Sequence, residues 1–393
     1  MESGAVAVSG VYEFGLSDAE EQRSTRLHAE SIIFDWVNQH IGGSNIFDAY
    51  PPELKAELQS AMTGLGVGWG ACRAAFWWPY EMSLQGRSDI IKDWYLASGL
   101  TCGTYGMPVH DGSPRMLEVE AEMMRYGDLP WARCVTTAEE IRQCKRDGLI
   151  ALYAHWQPTA PLPRDLSAID RAYGKGLRAL CLTYNRMDSV GVGCTERVDA
   201  GLSMFGLEVV RHCESLGLIV DTSHCGHMTT MDACRHATRP VTASHTCAKA
   251  VFETARAKSD DALRAIAGTG GVIGVMAAPF LLSRAPNPTI DSYLDHICYI
   301  ADLVGWRHVS LGTDWPFQAP DAVQRAVLGP ATWAELGFRP EDRLDVSDRA
   351  VGFDDYRDLL NVTRGLVKRG FADEQVRGIL GENALRVFQD VCG

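Results

Sequence analysis

The sequence predicts an α/β fold of the (β/α)8, TIM-barrel type, and three observations predict it. Short apolar runs of β character alternate with amphipathic helical stretches, the pattern of a parallel sheet wrapped by helices. Several of these runs are apolar almost throughout, as strands covered on both faces must be. Polar residues gather just after the runs, where the carboxyl ends of barrel strands converge on one mouth.

In chain order the predicted strands are residues 31–36, 74–78, 149–154, 177–183, 218–223, 241–244, 272–277 and 308–313, eight in all. Predicted helices occupy 52–64, 138–147, 166–174, 202–216, 228–236, 260–267 and 290–303, with 356–369 and 373–389 completing the outer layer. Thr222-Ser223 and Ser259-Asp260 offer N-cap chemistry, and Gly217 and Gly268 offer stops. The segment from about 79 to 136 is the least regular and reads as an insertion over the mouth. With C-terminal helices at about 354–390, the whole chain, 1–393, reads as one domain. A barrel of about 250 residues with insertions accommodates that length.

Hydrophobic residues make up 46% and charged residues 22%, enough for a large core and too apolar for a disordered chain. A net charge of −13 disfavours nucleic acid and anionic membrane as partners and favours a small-molecule substrate. The first ten residues hold neither a basic stretch nor a sustained apolar one, so no signal peptide is expected. The longest apolar run, 270–282, is too short to span a bilayer. None of the twelve cysteines forms a Cys-x-x-Cys pair, and reduced thiols are expected. Together these place the protein in the cytoplasm.

Reading only the strand ends gives Asp35-Trp36-Val37-Asn38-Gln39, His155-Trp156-Gln157, Tyr184-Asn185, His224, His245 and Asp314. A lone histidine at a strand end is usually a hydrogen-bonded cap. Here two successive runs each end in Ser-His, at His224 and His245, which suits imidazole ligands of a metal. Asp314 is placed to handle a proton. Cys225 and Cys247 are conceivable thiolate ligands, although buried structural thiols are the favoured reading. Phe76-Trp77-Trp78-Pro79-Tyr80 offers aromatic material for a pocket wall, or for the core.

Around these residues the sequence resembles the renal (membrane) dipeptidase family of the amidohydrolase superfamily. The closest stretch runs from Leu202-Ser203-Met204-Phe205-Gly206 through Asp221-Thr222-Ser223-His224 and Ala243-Ser244-His245-Thr246 to Arg256. Leu311-Gly312-Thr313-Asp314 and Gly381-Glu382-Asn383-Ala384-Leu385-Arg386-Val387 add to it, and weaker similarity reaches back to Ser31. The resemblance implies a metal-dependent-hydrolase barrel, a homodimer, and a binuclear zinc site that cleaves dipeptides. It implies that His224 and His245 are metal histidines, Arg256 the carboxylate-binding residue and Asp314 the proton-handling one.

At four positions the chain departs from the family pattern. Val37 and Gln39 stand where a metal-binding His and Asp are expected, Gln157 where a bridging Glu is, and Tyr184 where a carbonyl-polarising His is. Valine has no donor atom, and two cations a few ångströms apart need negative charge between them. At most one metal, zinc if any, is therefore expected on His224 and His245, with His155 as a replacement donor or a rim residue. No organic cofactor is evident. The reading is an enzyme with catalytic Asp314, His224, His245 and Tyr184. Its substrate-binding residues are Arg256, Gln157, His155 and Gln39. It acts on a small carboxylate-bearing molecule derived from an amino acid or peptide. If no metal binds, proton transfer, elimination or rearrangement replaces hydrolysis, and a biosynthetic role would fit. The alternatives are a conventional binuclear zinc dipeptidase and a catalytically silent binding protein on the same fold.

Overall fold

The computed structural model describes residues 12–38, 44–65, 69–106, 113–114, 117, 121, 124–157, 162–314, 330–342, 344–345 and 348–393. Its strands are β1 (Cys102–Gly106), β2 (Ala132–Val135), β3 (Ile150–Trp156), β4 (Leu177–Cys181) and β5 (Ile219–Asp221). They continue with β6 (Val241–Ala248), β7 (Ala257–Lys258), β8 (Ile273–Val275) and β9 (Val309–Leu311). All pair in parallel, in the order β1-β3-β4-β5-β6-β8-β9, with β2 on β3 and β7 on β6. The result is a curled α/β sheet of TIM-like character rather than a continuous closed barrel.

The predicted first strand accounts for the opening. Residues 33–36 lie between β1 and β9, but make a single bridge to each, Phe34 to Cys102 and Asp35 to Leu311. Beyond these, Phe34 N–H is diverted to the Leu380 carbonyl, and the next N–H after the segment, that of Val37, to the Asp35 carboxylate. The predicted strand at 74–78 is instead part of the helix Trp69–Leu84. A short apolar run fits a strand and a buried helical face equally well, which explains the error. Trp77 stacks on Tyr126 and the Tyr80 hydroxyl meets that of Tyr95, so the described part of this aromatic run is core. The Phe76 side chain lies outside the described residues.

The region expected to be irregular contains β1 and β2. β1 reads Cys-Gly-Thr-Tyr-Gly, too glycine-rich to signal a strand. Gly103 is needed there, because a Cβ would sit 2.9 Å from the Asn38 side chain.

Helices Ala138–Asp147 and Leu166–Gly174 fall where expected, the first with a capping box from Thr137. Ser259 caps Asp260–Gly268, and Gly217 ends Met204–Leu216 in the left-handed region. Gly268 is the last residue of its helix, which Thr269 caps, and Ser223 does not cap the helix after it, whose N-cap is Gly226. The terminal helix is broken by a π turn at Gly378–Glu382, where Gly381 packs against the Ile32 carbonyl. No helix among the described residues is long and apolar enough to cross a membrane. Every described cysteine is a free thiol.

Candidate active site

The site is built on one buried carboxylate. Asp221 ends β5, and its Oδ1 accepts from Ser223 N–H at 3.0 Å, Ser223 Oγ at 2.6 Å and Ser244 N–H at 2.8 Å. Its Oδ2 accepts from Ser244 Oγ at 2.6 Å and lies 3.1 Å from His155 Nε2. This explains the repeated Ser-His endings. Each serine hooks onto Asp221, and the next residue, His224 or His245, is thereby aimed at its neighbour. Burial alone would push the Asp221 carboxyl up. The hydrogen bonds from His155 and Ser223 outweigh it and hold the group well below the usual carboxylate range.

His224 and His245 face each other, Nε2 to Nε2 at 2.8 Å. The other ring nitrogens are occupied: His224 Nδ1 lies 2.7 Å from Asn185 Oδ1, and His245 Nδ1 lies 2.8 Å from Ser244 Oγ. Burial, then the charge of Arg256, drives both pKa values far down, so both rings are neutral near pH 7. Strand packing brings them close. A Cβ on Gly274 or Gly312 would sit within 2 Å of the Ser244 carbonyl oxygen.

Arg256 is 3% exposed and donates to the carbonyls of Ser223 and His245, fixing the backbone at both histidines. The Tyr184 ring stacks on His224, centroids 4.0 Å apart and 20° from coplanar. Burial, then the Asp314 charge, raises its pKa, so the phenol keeps its proton. Asp314 is half-buried just beyond β9, in the left-handed region at φ 48°, and donates its N–H to the Val37 carbonyl at 2.7 Å. Its charge reaches both Tyr184 and Arg256.

The sequence model of the membrane dipeptidase family, peptidase family M19, matches residues 120–329, more than half of the chain. The chain belongs to the membrane dipeptidase family. It is 28% identical over 268 residues to an uncharacterized dipeptidase of Schizosaccharomyces pombe, covering 67% of this chain and 58% of that protein. It is 26% identical over 272 residues to dipeptidase verJ of Clonostachys rogersoniana, covering 68% and 61%. The match thus spans about three fifths of the length of these curated relatives. In fold it is similar to an amidohydrolase from Pseudomonas aeruginosa, with TM-score 0.70, 23% identity and coverage of 94% and 99%. The M19 dipeptidase AC gives a TM-score of 0.62, 20% identity and coverage of 77% and 88%.

Within this dipeptidase-family frame, the fold brings together His224, His245, Tyr184, Arg256 and His155 around Asp221, with Asp314 beside Tyr184 and Arg256. His155 is 1% exposed; its Nε2 serves Asp221, and its Nδ1 has no partner among the described residues. Gln157 follows β3, half-buried, and Gln39 lies outside the described residues. Cys225 accepts from Thr183 Oγ1, and the Cys247 thiol points to the Met276 carbonyl. Sequence reasoning missed Asp221, Ser223, Ser244 and the hydrogen-bonding role of Asn185. One signal was available: an aspartate closing the apolar run Leu218-Ile219-Val220 must be buried and must therefore be paired.

Proposed function

We propose that this chain is a dipeptidase-family enzyme acting on a small carboxylate-bearing substrate derived from an amino acid or peptide, at a site holding at most one metal ion. The observation that carries the reading is the His224–His245 pair, its two Nε2 atoms 2.8 Å apart and both Nδ1 atoms tied from behind. Second-sphere hydrogen bonds of this kind are the usual setting of metal-binding imidazoles.

The family is normally zinc-dependent, but the donors here do not fit a binuclear centre. Val37 is apolar and buried, and Gln157 is neutral. Asp35 already accepts from Val37, Thr313 and Tyr356. Among the described residues no group of three or more His, Cys, Asp or Glu is arranged to hold a metal. A single ion on His224 Nε2 and His245 Nε2 would supply Lewis-acid polarisation.

The chain's own residues supply the rest. A guanidinium has five N–H donors, so Arg256 keeps capacity for a substrate carboxylate beyond its two carbonyl bonds. Tyr184, protonated, donates to a developing oxyanion. Asp314 takes or returns the proton. His155 orients Asp221, and Gln157 borders the substrate.

A dipeptide panel, assayed with added zinc and with chelator, tests the reading. Asp314→Asn should lower kcat/KM by about 10²–10⁴-fold, and Arg256→Lys should act mainly on KM. Failure to cleave any dipeptide under either condition would overturn the hydrolytic reading. Two zinc ions per chain would overturn the single-ion site.

A further inference from the structure

We propose that Asn185 is a positioning residue that fixes His224 as its Nδ1–H tautomer and so turns the Nε2 lone pair toward His245. The inference deepens the functional reading above and rests on it for its catalytic consequence, but the tautomer itself can be read directly.

The Leu336 carbonyl sets the orientation of the Asn185 amide. A carbonyl can only accept, so the amide nitrogen of Asn185 faces it, at 2.8 Å. The amide oxygen therefore faces His224 Nδ1 at 2.7 Å, and also takes the Cys194 thiol at 3.4 Å. An amide oxygen cannot donate, so His224 Nδ1 must carry the hydrogen. In a neutral imidazole the other nitrogen, Nε2, is then bare.

The partner ring is locked in the same sense. The Ser244 hydroxyl hydrogen goes to Asp221 Oδ2 at 2.6 Å, so Ser244 Oγ accepts from His245 Nδ1 at 2.8 Å. Two bare Nε2 atoms are left facing each other at 2.8 Å. Left alone, the pair would relax by moving one hydrogen to Nε2, which makes an ordinary N–H···N bond. On the His224 side, Asn185 prevents this. The pair therefore presents two convergent lone pairs that suit an incoming cation or an acidic substrate proton.

Asn185 is itself held rigidly. It is fully buried, and its carbonyl accepts from Thr195 N–H at 3.0 Å and Thr195 Oγ1 at 2.7 Å. The turn is so tight that a Cβ on Gly193 would lie 2.1 Å from the Asn185 carbonyl carbon. Arg186 donates to the Ala334 carbonyl, and Arg339 to the Thr195 carbonyl at 2.6 Å. These bonds strap the turn to the segment that carries Leu336. An amide fixed at both ends cannot flip to follow the imidazole.

The test is long-range ¹H–¹⁵N NMR on the full chain labelled at histidine nitrogen, as purified and again with chelator, so that a bound ion does not itself impose the tautomer. His224 is assigned by the signal lost in His224→Gln. Wild type should be Nδ1–H. Asn185→Asp, which keeps an acceptor but loses the donor to Leu336, should stay Nδ1–H. Asn185→Leu should move His224 to Nε2–H and lower kcat by about 10–100-fold, with Asn185→Asp recovering most of the loss. A purely structural role, holding the strap, predicts equal damage from both variants and no change of tautomer. A folded Asn185→Leu that stays Nδ1–H overturns the proposal. So does a wild type found as Nε2–H in chelator, a result that needs no variant to fold. Absence of dipeptide cleavage would bear on the proposed function and leave the tautomer result standing.

Discussion

Two buried aspartates, Asp221 closing β5 and Asp35 bridged to the end of β9, are held by nearly the same staple. Asp221 Oδ1 takes the N–H two residues on, from Ser223, and the N–H of Ser244 on the neighbouring strand; its Oδ2 takes the Ser244 hydroxyl. Asp35 Oδ1 takes the N–H two residues on, from Val37, at 3.1 Å, and the N–H of Thr313 at 2.8 Å; its Oδ2 takes the Thr313 hydroxyl at 2.5 Å. The last partner separates them. Asp221 has the His155 imidazole, and Asp35 has the Tyr356 phenol at 2.7 Å. With only neutral donors against complete burial, the Asp35 carboxyl is raised to about 6, whereas Asp221 is lowered. The residues two and three on differ too: Ser223-His224 delivers an imidazole, whereas Val37-Asn38 delivers an apolar side chain and an amide already bonded to Tyr95 and Thr104. The staple builds a strand end, and the residues hung on it decide whether that end carries chemistry.

The largest test of the comparison removes each carboxylate in turn. Asp221→Ala strips the acceptor from two serines and from His155, and should cost about 3–5 kcal/mol, as breaking a buried polar pair does. Asp35→Ala removes a carboxyl that only neutral donors hold and that burial already destabilises, and should cost less. Denaturant unfolding measures both. Equal losses would mean that His155 adds nothing to the Asp221 staple.

Next in size is a difference in sign with pH. Asp35 binds its proton more tightly folded than unfolded. Its contribution is therefore complete below about pH 4 and is lost as pH rises through about 6, a change on the order of 2–3 kcal/mol. Asp221 runs the other way: its contribution is present above the ordinary carboxylate pKa of ~4 and is lost as pH falls further. Asp35→Asn should flatten the stability profile between pH 4 and 7 and leave the acid limb below pH 4 in place. A profile unchanged by Asp35→Asn would remove the basis for treating the two staples differently.

Much of this was legible in the sequence, for reasons that differ from residue to residue. The helix Ala138–Asp147 could be read to the residue because Thr137, Glu140 and Gly148 punctuate it locally. His224 and His245 stood out because one pattern ends two successive strands. By contrast, β1 was hidden by its glycines, and 69–84 was ambiguous because a short apolar run has no distinctive period. The pairing of Asp35 with Thr313 and Tyr356 joins residues about 280 to 320 apart, and no local signal announces such a contact. Asn185 was visible as a polar strand end, but its task depends on the Leu336 carbonyl, which only the fold brings near.

The smallest test isolates the last partner of Asp35. The Tyr356 hydrogen bond is one of the contacts that hold the Asp35 carboxyl down against burial, so Tyr356→Phe should raise it beyond about 6. One hydrogen bond contributes about 0.5–1.5 kcal/mol, more when the acceptor is charged. The loss should therefore be larger at pH 7, where Asp35 is ionised, than at pH 4, where it is protonated in the fold. Tyr356 ring packing against Phe353 is retained in the variant, which keeps the measurement to the hydroxyl. Unfolding curves at the two pH values give the difference directly. A loss that does not change with pH would mean that the Tyr356 hydroxyl serves the neutral and the ionised carboxyl equally, and would leave Thr313 as the group that sets the Asp35 charge.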